Sequence, residues 1–232
     1  MKFLAAATTA AAVSVAATSV SAKLPSPTVT LNNGVKMPLV ALGVWQYDNA
    51  TAKDAITKGL SIGYTHIDTA YDYDNQQGVG EALKDVPRDS FFLTTKTPPC
   101  RKITPADCYN ATMEQLEYDL EALQMDHVDL VLIHGSSGNP SSACDQTACD
   151  KDYAQWRAYE DFYANGKAKA IGVSNFCVSC MECLYSKPLK VAPAVNQFQL
   201  HVGMGSDPTT QELIAENLKR GTVPQVGNWW YS

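Results

Sequence analysis

Residues 104–134 read TPADCYNATMEQLEYDLEALQMDHVDLVLIH and contain the clearest pair of structural elements in the chain. Thr104 and Pro105 are typical of the start of a helix. Apolar residues then recur at helical spacing, at Met113, Leu116, Leu120 and Leu123. Residues 128–133 follow as an almost continuous apolar run, which is typical of a strand buried on both faces of a parallel sheet. This stretch therefore predicts a helix over 104–125 followed by a buried parallel strand.

The same alternation of strand and helix continues on both sides of this stretch. Strands are predicted at 39–45, 65–68, 91–95, 128–133, 168–173, 194–199 and 221–226. Helices are predicted between them at 51–62, 76–86, 104–125, 151–164, 178–185 and 208–219. A closed (β/α)8 barrel has eight strand–helix units. We therefore expect the α/β class and an incomplete (β/α)8 TIM barrel of about seven units, with the eighth strand missing.

A hairpin is predicted before the alternating series. Residues 28–37 read TVTLNNGVKM, in which two short β-like runs flank Asn33 and Gly34. Asn-Gly is a preferred pair in the two-residue turn of type I′, because both residues tolerate the positive φ angles that this turn requires. We expect an antiparallel hairpin with a type I′ turn at this place.

Composition excludes several classes of protein. The chain has 232 residues, of which 45% are hydrophobic and 18% are charged, so disorder and a coiled coil are excluded as the main state. The net charge of −6 shows no overall basic character, and nothing favours a nucleic-acid partner. After residue 22 no stretch is apolar enough to span a bilayer. We expect an acidic globular protein without a membrane span.

The first 22 residues have the pattern of a signal peptide. Lys2 gives a positive start, a run rich in Ala and Val follows, and Val20-Ser21-Ala22 matches the small residues that precede a cleavage site. An organelle transit peptide is the alternative, although the segment lacks the Arg residues typical of one. We expect a signal peptide over 1–22, one domain over 23–232, and a protein that is secreted or resides in the lumen of the secretory pathway.

The chain has seven cysteines, at positions 100, 108, 144, 149, 177, 180 and 183. An oxidising compartment allows up to three disulfides and leaves one thiol. Two pairs close in sequence, Cys100/Cys108 and Cys144/Cys149, predict local disulfides. The spacing CxxCxxC over 177–183 is also found in metal sites, but three thiolates on one helix need a fourth ligand, and the sequence has no second cluster. We favour disulfides and packed thiols over a metal site.

Polar side chains occur at the C-terminal ends of the predicted strands, where the catalytic groups of a (β/α)8 barrel lie. They are Asp68, Tyr73, Lys96, His134, Ser174, Asn175 and Gln197. Each has a structural alternative when it is considered singly. An Asp after a strand is commonly a helix cap, a His commonly satisfies core hydrogen bonds, and a Lys is usually solvated. Their joint placement at successive strand ends indicates a functional site.

Five segments carry a family resemblance. They are LNNGVKMP (31–38), GYTHIDTAYDYDN (63–75), DLVLIH (129–134), GVSNF (172–176) and PAVNQ (193–197). On these segments the chain resembles the aldo-keto reductases, a family of nicotinamide-dependent carbonyl reductases built on a (β/α)8 barrel. The resemblance extends from about residue 28 to about residue 220, and the second and fourth segments are its most specific parts.

The resemblance implies a catalytic tetrad that reduces aldehydes or ketones to alcohols, formed by Asp68, Tyr73, Lys96 and His134. Tyr73 would be the general acid that protonates the carbonyl oxygen. Because an ordinary phenol has a pKa near 10, the charge of Lys96 would assist by stabilising the phenolate. Asp68 would hold Lys96 in place, and His134 would hydrogen-bond the carbonyl oxygen.

The resemblance also implies a site for NADP(H), the usual cofactor of the family, formed by Val44, Asp68, Ser174, Asn175 and Gln197. The last three match the residues that hold the carboxamide of the nicotinamide. Trp45 matches an aromatic wall of the substrate pocket, where His134 also lies. Packing at the barrel rim is the structural alternative for this Trp. A small carbonyl compound is the expected substrate.

The match departs from the family pattern towards the C-terminus. The seventh strand of the family ends in a Tyr that stacks on the nicotinamide, and Gly227 occupies the matching position here. The phosphate-binding loop and eighth strand of the family have no counterpart up to residue 232. Three readings stay open: a working reductase, a truncated relative that acts as a non-enzymatic binding or interaction module, and the product of an incomplete reading frame. An unclosed barrel also predicts self-association through its open edges.

Overall fold

The computed structural model describes residues 26–138, 144–204 and 208–227. The signal peptide predicted at 1–22 lies outside these residues. Over the described residues the chain forms nine β-strands and six α-helices, with three short 3-10 turns between them. The order of these elements places a hairpin first and alternates strand and helix afterwards, as the sequence predicts.

In the hairpin, β1 (Thr28–Thr30) pairs antiparallel with β2 (Lys36–Pro38), which confirms the prediction. The predicted type I′ turn is wrong, because Gly34 adopts a positive φ of +87° and Asn33 does not. The loop is instead closed by the Gly34 N–H, which donates to the Leu31 carbonyl at 2.9 Å. The side chain of Asn33 donates to the carbonyl of Lys169 at 2.9 Å. The Leu31 N–H also donates to the Val35 carbonyl at 2.8 Å, so the loop is longer than the two residues of a type I′ turn.

Seven parallel strands form one sheet whose spatial order follows the chain. They are β3 (Leu42–Gly43), β4 (His66–Asp68), β5 (Phe92–Thr97), β6 (Val128–Ile133), β7 (Ala168–Ser174), β8 (Val195–Gln199) and β9 (Val223–Gly227). The α/β class and the incomplete barrel are confirmed. Among the described residues β3 and β9 are the two edges of the sheet. β3 is shorter than the predicted 39–45. The Leu39 N–H donates to the Pro27 carbonyl, so residue 39 continues the pairing of the hairpin and does not belong to the parallel sheet.

The hairpin covers the N-terminal end of the barrel. Leu31 and Met37 form a buried cluster with side chains of the barrel interior, namely Phe92, Leu130, Leu132, Ala170, Ala194 and Val195. The side-chain amide of Asn32 donates to the carbonyl of Pro193 at 3.0 Å, just before β8 begins. Burial of these apolar side chains stabilises the hairpin against the sheet. The hairpin therefore closes this end of the barrel interior with apolar side chains.

Six helices lie between the strands in the described residues. They are α1 (Asn49–Ser61), α2 (Gln76–Leu83), α3 (Pro105–Leu123), α4 (Gln146–Ala164), α5 (Val178–Tyr185) and α6 (Pro208–Lys219). All six predicted helices are present, but α4 begins before the predicted residue 151. Asp145 caps this helix by accepting a hydrogen bond from the Ala148 N–H at 2.8 Å. No helix in the described part of the chain has the length and apolarity that crossing a membrane requires.

The described cysteines form three disulfides, and Cys177 remains a thiol. The predicted Cys100–Cys108 disulfide is confirmed. The predicted Cys144–Cys149 pair is wrong, because Cys144 bonds to Cys180 and Cys149 bonds to Cys183. The early start of α4 explains the difference, since it places Cys149 within a helix that packs against α5. The two bonds therefore join the chain that follows β6 to α5, over 34 and 36 residues of sequence.

Asp119 of α3 is a carboxyl group buried between the helices and the sheet, and it is 1% exposed. Its Oδ2 accepts a hydrogen bond from Thr95 Oγ1 at 2.9 Å, whereas Oδ1 has no partner among the described residues. Burial raises the pKa of Asp119 to about 7, although the hydrogen bond from Thr95 lowers it. An Asp in an unfolded chain titrates near 4. Between these two pH values the folded state holds a proton that the unfolded state has released.

We predict that the free energy of unfolding falls as the pH rises from about 4 to about 7, by up to about 1.4 kcal/mol per pH unit from Asp119 alone. Above pH 7 the loss is complete, because the carboxylate is then charged in both states. Asp119→Asn removes this dependence, so the variant gains stability over the parent at pH 8 and little at pH 4. Urea unfolding at both pH values measures the change.

The exposed Asp126 offers a matched control, since Asp126→Asn removes the same charge outside the core. We expect that this control leaves the pH dependence of unfolding as it is in the parent. If Asp119→Asn changed stability equally at pH 4 and pH 8, the buried carboxyl would not be the source of the pH dependence.

Candidate active site

The four residues of the predicted tetrad come together at the C-terminal ends of neighbouring strands. Asp68 ends β4, and Tyr73 lies in the 3-10 turn that follows it. Lys96 lies in β5, and His134 directly follows β6. The His134 N–H donates to the Thr97 carbonyl at 2.9 Å, which extends the parallel ladder by one residue. Pairing between adjacent parallel strands therefore fixes the positions of these side chains relative to one another.

Lys96 is wholly buried, and its ammonium group makes three hydrogen bonds. Nζ donates to Asp68 Oδ1 at 2.5 Å, to the Thr69 carbonyl at 3.0 Å and to the Tyr73 hydroxyl at 3.2 Å. These partners use the three hydrogens of the ammonium group. The structure thus confirms the predicted contacts of Lys96 with Asp68 and with Tyr73.

The acidity of Tyr73 depends on its burial as well as on Lys96. Burial raises the pKa of Tyr73 to about 12, although the charge of Lys96 lowers it. Lys96 acts in the predicted direction, but burial has the larger effect. Asp68 compensates the charge of Lys96, and burial penalises the phenolate. Tyr73 therefore keeps its proton at neutral pH.

Burial lowers the pKa of Lys96, but Asp68 and Tyr73 together outweigh it through charge and hydrogen bonds, and the net pKa lies above the ordinary value. Lys96 is therefore a stable cation at neutral pH. The second oxygen of Asp68 accepts from Gln197 Nε2 at 2.8 Å, so an amide from β8 joins the ion pair. The carboxylate consequently has a partner on each oxygen.

His134 is held by a residue that sequence reasoning missed. Its Nδ1 lies 2.8 Å from Oδ1 of Asp72, which immediately precedes Tyr73. The rings of His134 and Tyr73 are in edge contact, with centroids 5.6 Å apart. The sequence does show an acidic residue beside the predicted acid, but only the fold brings residues 72 and 134 together.

Asn75 is a second residue that sequence reasoning did not assign, although it lies in the most specific segment of the resemblance. Its side-chain amide donates to the carbonyls of Val44 and Tyr47, at 2.7 and 2.9 Å. Its Oδ1 accepts from Thr69 Oγ1 at 3.1 Å. Asn75 therefore fixes the loop after β3, which contains Trp45, against the turn that contains Tyr73.

The residues predicted to hold a cofactor also lie together. Asn175 follows Ser174 at the end of β7, with a positive φ of 54°. Its side-chain amide donates to the His134 carbonyl at 3.0 Å and to Ser174 Oγ at 3.1 Å. Its backbone N–H donates to the carbonyl of Gln197 at 2.7 Å. Val44 directly follows β3, the strand that pairs with β4, and its N–H donates to the Asp68 carbonyl at 3.2 Å.

A cavity of about 550 Å³ opens at these strand ends. Its walls come from the β3 loop, from two residues of the tetrad and from β8 and β9. They include Gly43, Trp45, Tyr47, Asp68, Tyr73, Gln197, Gln225, Val226 and Gly227. Trp45 therefore lies at the wall of this cavity. Gln225 Oε1 is a buried acceptor without a partner among the described residues. A carboxamide has the donors that such an acceptor needs, so the described residues fit the nicotinamide end of a cofactor.

Comparisons with known proteins agree with this geometry. The sequence model of the "Aldo/keto reductase family" matches residues 39–226. A glyoxal reductase of Bacillus subtilis is 38% identical over 177 residues, which are 75% of this chain and 58% of that protein. An aldo/keto reductase crystal structure from Brucella melitensis superposes with a TM-score of 0.72 at 34% identity, covering 87% of this chain and 70% of that one.

A crystal structure of a Bombyx mori aldo-keto reductase in complex with NADP superposes with a TM-score of 0.71 at 26% identity. The match covers 87% of this chain and 66% of that chain. The chain thus spans somewhat more than half the length of the Bacillus subtilis relative and about two thirds of this structure.

We predict that Lys96→Met lowers the free energy of unfolding by about 3–5 kcal/mol, because it leaves the carboxylate of Asp68 buried without its cation. The double variant Lys96→Met/Asp68→Asn loses less than the sum of the two single variants, since neither charge then remains. Urea unfolding of the four proteins in this cycle gives the coupling free energy.

Lys84→Met serves as the control, since the Lys84 side chain is 49% exposed and pairs with Glu81 at the surface. We expect a change close to zero for it. Additive losses in the Lys96/Asp68 cycle would show that the buried pair does not act as a unit.

Proposed function

Because the chain belongs to the aldo/keto reductase family, we propose that it reduces aldehydes and ketones to alcohols with hydride from NADPH and with Tyr73 as the general acid. Family membership supports oxidoreductase chemistry on small carbonyl compounds. The observation that carries the proposal is the contact of the Tyr73 hydroxyl with the buried ammonium of Lys96, at the wall of the cavity.

The nicotinamide cofactor supplies, when bound, a hydride for the carbonyl carbon. Tyr73 holds its proton at neutral pH, since its pKa is about 12, and passes it to the carbonyl oxygen as negative charge develops there. The ammonium of Lys96 stabilises the phenolate that remains, and solvent returns the proton to Tyr73. His134, in contact with the Tyr73 ring, hydrogen-bonds the same oxygen and orients the carbonyl group.

NADP(H) is the proposed cofactor, held at its nicotinamide end by Ser174, Asn175 and Gln197 and bordered by Val44 and Asp68. The close approach of these residues and the unpaired acceptor of Gln225 support this placement. The Bombyx mori relative, whose structure is a complex with NADP, supports the choice of cofactor.

We assign the chain a small carbonyl substrate, bound against Trp45 and Tyr47. The aromatic side chains and Val226 give the cavity an apolar wall, while Tyr73 gives it a hydrogen-bond donor. The relative named as a glyoxal reductase supports an aldehyde with a short carbon chain.

The protein is proposed to act outside the cytosol, in the secretory lumen or beyond it. The signal-peptide pattern of residues 1–22 motivates this proposal. The three disulfides of the described residues support it, because such bonds persist in oxidising compartments.

We predict that Tyr73→Phe lowers kcat for aldehyde reduction by about 10² to 10⁴, because the proton donor is lost while the ring is kept. The loss of absorbance of NADPH in the presence of glyoxal measures the rate. Quenching of tryptophan fluorescence by NADPH measures cofactor binding, and we expect it to stay nearly unchanged.

Tyr71→Phe is the matched control, since Tyr71 lies in the same turn and its ring makes an edge contact with Tyr118 outside the tetrad. It should retain the parental rate. Full activity of Tyr73→Phe would remove Tyr73 from the role of acid, and NADPH binding by the parent without turnover would favour a non-enzymatic binding module.

Self-association is proposed for the polypeptide 23–232, through the edges of the sheet. In the described residues β3 and β9 each pair with one strand, and the exposed apolar side chains of Leu39, Val40 and Val226 lie beside or on them. Pro224 removes one donor from β9 and weakens pairing there. We expect oligomers in size-exclusion chromatography with light scattering, and fewer of them for Val40→Lys. A sharp monomer peak for the parent would contradict the proposal.

A further inference from the structure

Asp72 takes no part in the mechanism above, yet it is the side chain that holds His134. The residue lies in the 3-10 turn Tyr71–Tyr73, one position before the proposed acid. Its Oδ1 and Nδ1 of His134 are 2.8 Å apart, and the two residues are separated by 62 positions in sequence. The pair thus joins the turn after β4 to the residue that follows β6.

This contact determines which ring nitrogen carries a proton. An ionised carboxylate only accepts hydrogen bonds, so the nitrogen that faces it must be a donor. Burial raises the pKa of Asp72, but the hydrogen bond and charge of His134 outweigh it and hold the pKa below the ordinary value. Asp72 is therefore a carboxylate near neutral pH, and His134 has its hydrogen on Nδ1.

A proton fixed on Nδ1 has a consequence for Nε2. In a neutral ring only one nitrogen carries hydrogen, so Nε2 would present a lone pair, which repels a carbonyl oxygen. Nε2 can donate to that oxygen only if the ring carries both protons. A carboxylate at hydrogen-bond distance from Nδ1 stabilises the doubly protonated ring relative to the neutral one.

We propose that Asp72 is a positioning residue that holds His134 as an imidazolium, so that the carbonyl oxygen meets a cationic donor from His134 beside the hydroxyl of Tyr73. This inference rests on the proposed function, because it concerns the same carbonyl oxygen. Asp72 acts through His134 and donates no proton itself. The source of the proton in the reduction is unchanged. It still comes from Tyr73, and His134 keeps both of its protons.

Other charged groups surround the pair from the neighbouring elements. They are Tyr73 in the same turn, Lys96 from β5 and Asp119 from α3, whose charges or ionisation are coupled to Asp72. The pKa of Tyr73, about 12, lies above the range from pH 5 to pH 9. The pKa of Asp119 lies within it, at about 7, so Asp119→Asn is needed as a background in which that ionisation is absent.

The first experiment compares the pH profiles of kcat/KM of the parent and of Asp72→Asn, with NADPH and glyoxal from pH 5 to pH 9. An amide oxygen can still accept from Nδ1–H, but it brings no charge. We expect kcat/KM of the variant to be close to the parent at pH 5 and about tenfold lower at pH 7.5, with the fall in activity moved down by about one pH unit. Asp72→Glu should recover part of the loss.

Asp74→Asn is the matched control for charge. Asp74 is an exposed residue two positions away, with a left-handed φ of 55° that Asn also adopts. It should leave the profile unchanged. The shift for Asp72→Asn should persist in the Asp119→Asn background. A uniform loss of kcat/KM at every pH would overturn the proposal, since it would reduce Asp72 to a structural support.

The second experiment needs no activity and so separates this inference from the proposed function. The ring nitrogens of the chain's four histidines are labelled with ¹⁵N, and the His134 signals are assigned by their loss in His134→Gln. We expect both nitrogens of His134 to carry protons at pH 7 in the parent and one of them in Asp72→Asn. A singly protonated ring in the parent at pH 7 would overturn the proposal, whether or not the protein reduces aldehydes and whether or not the variant folds.

Discussion

The buried ammonium group of Lys96 needs partners, and the arrangement of the site follows from that need. A cation removed from water is stable only where opposite charge and acceptors replace the lost hydration. Asp68 supplies the charge from β4, and Thr69 and Tyr73 accept the remaining hydrogens. Gln197 holds the other oxygen of Asp68 from β8. A single ionic network thus connects three strands at their C-terminal ends and places the phenol of Tyr73 at the cavity.

The same network decides the acidity of the phenol. Lys96 alone would lower the pKa of Tyr73, but with Asp68 at 2.5 Å the pair has little net charge, so burial is the larger effect. A buried phenol that keeps its proton is suited to donate it to a carbonyl oxygen. The ammonium contributes chiefly once the proton has left, when it faces a phenolate. The proposed roles of acid and cation therefore depend on the ion pair as a unit.

The chain segments that follow β6 and β7 are joined by a side-chain hydrogen bond and by two disulfides, in addition to the pairing of the strands. Asn175 donates to the carbonyl of His134, so the ends of β6 and β7 are joined directly. The disulfides Cys144–Cys180 and Cys149–Cys183 join the chain that follows β6 to α5, which begins three residues after Asn175. These two disulfides reduce the number of conformations that the chain after β6 can adopt relative to α5. The position of His134 is consequently restrained from β6, β7 and the turn that contains Asp72.

The sequence alone determined the order of strands and helices and which polar residues lie at strand ends, because apolar periodicity and the position of a residue at a strand end are local properties. The choice of Asp68, Tyr73, Lys96 and His134 among those residues came from the family resemblance. The sequence also indicated the Cys100–Cys108 bond, which spans eight residues. Only the tertiary structure decided the other disulfide partners, the pairing of Asp72 with His134 and the net rise in the pKa of Tyr73. Each of these depends on which distant groups meet and on how deeply they are buried. Spacing along the chain contains neither quantity, and both arise when the parallel strands pair side by side.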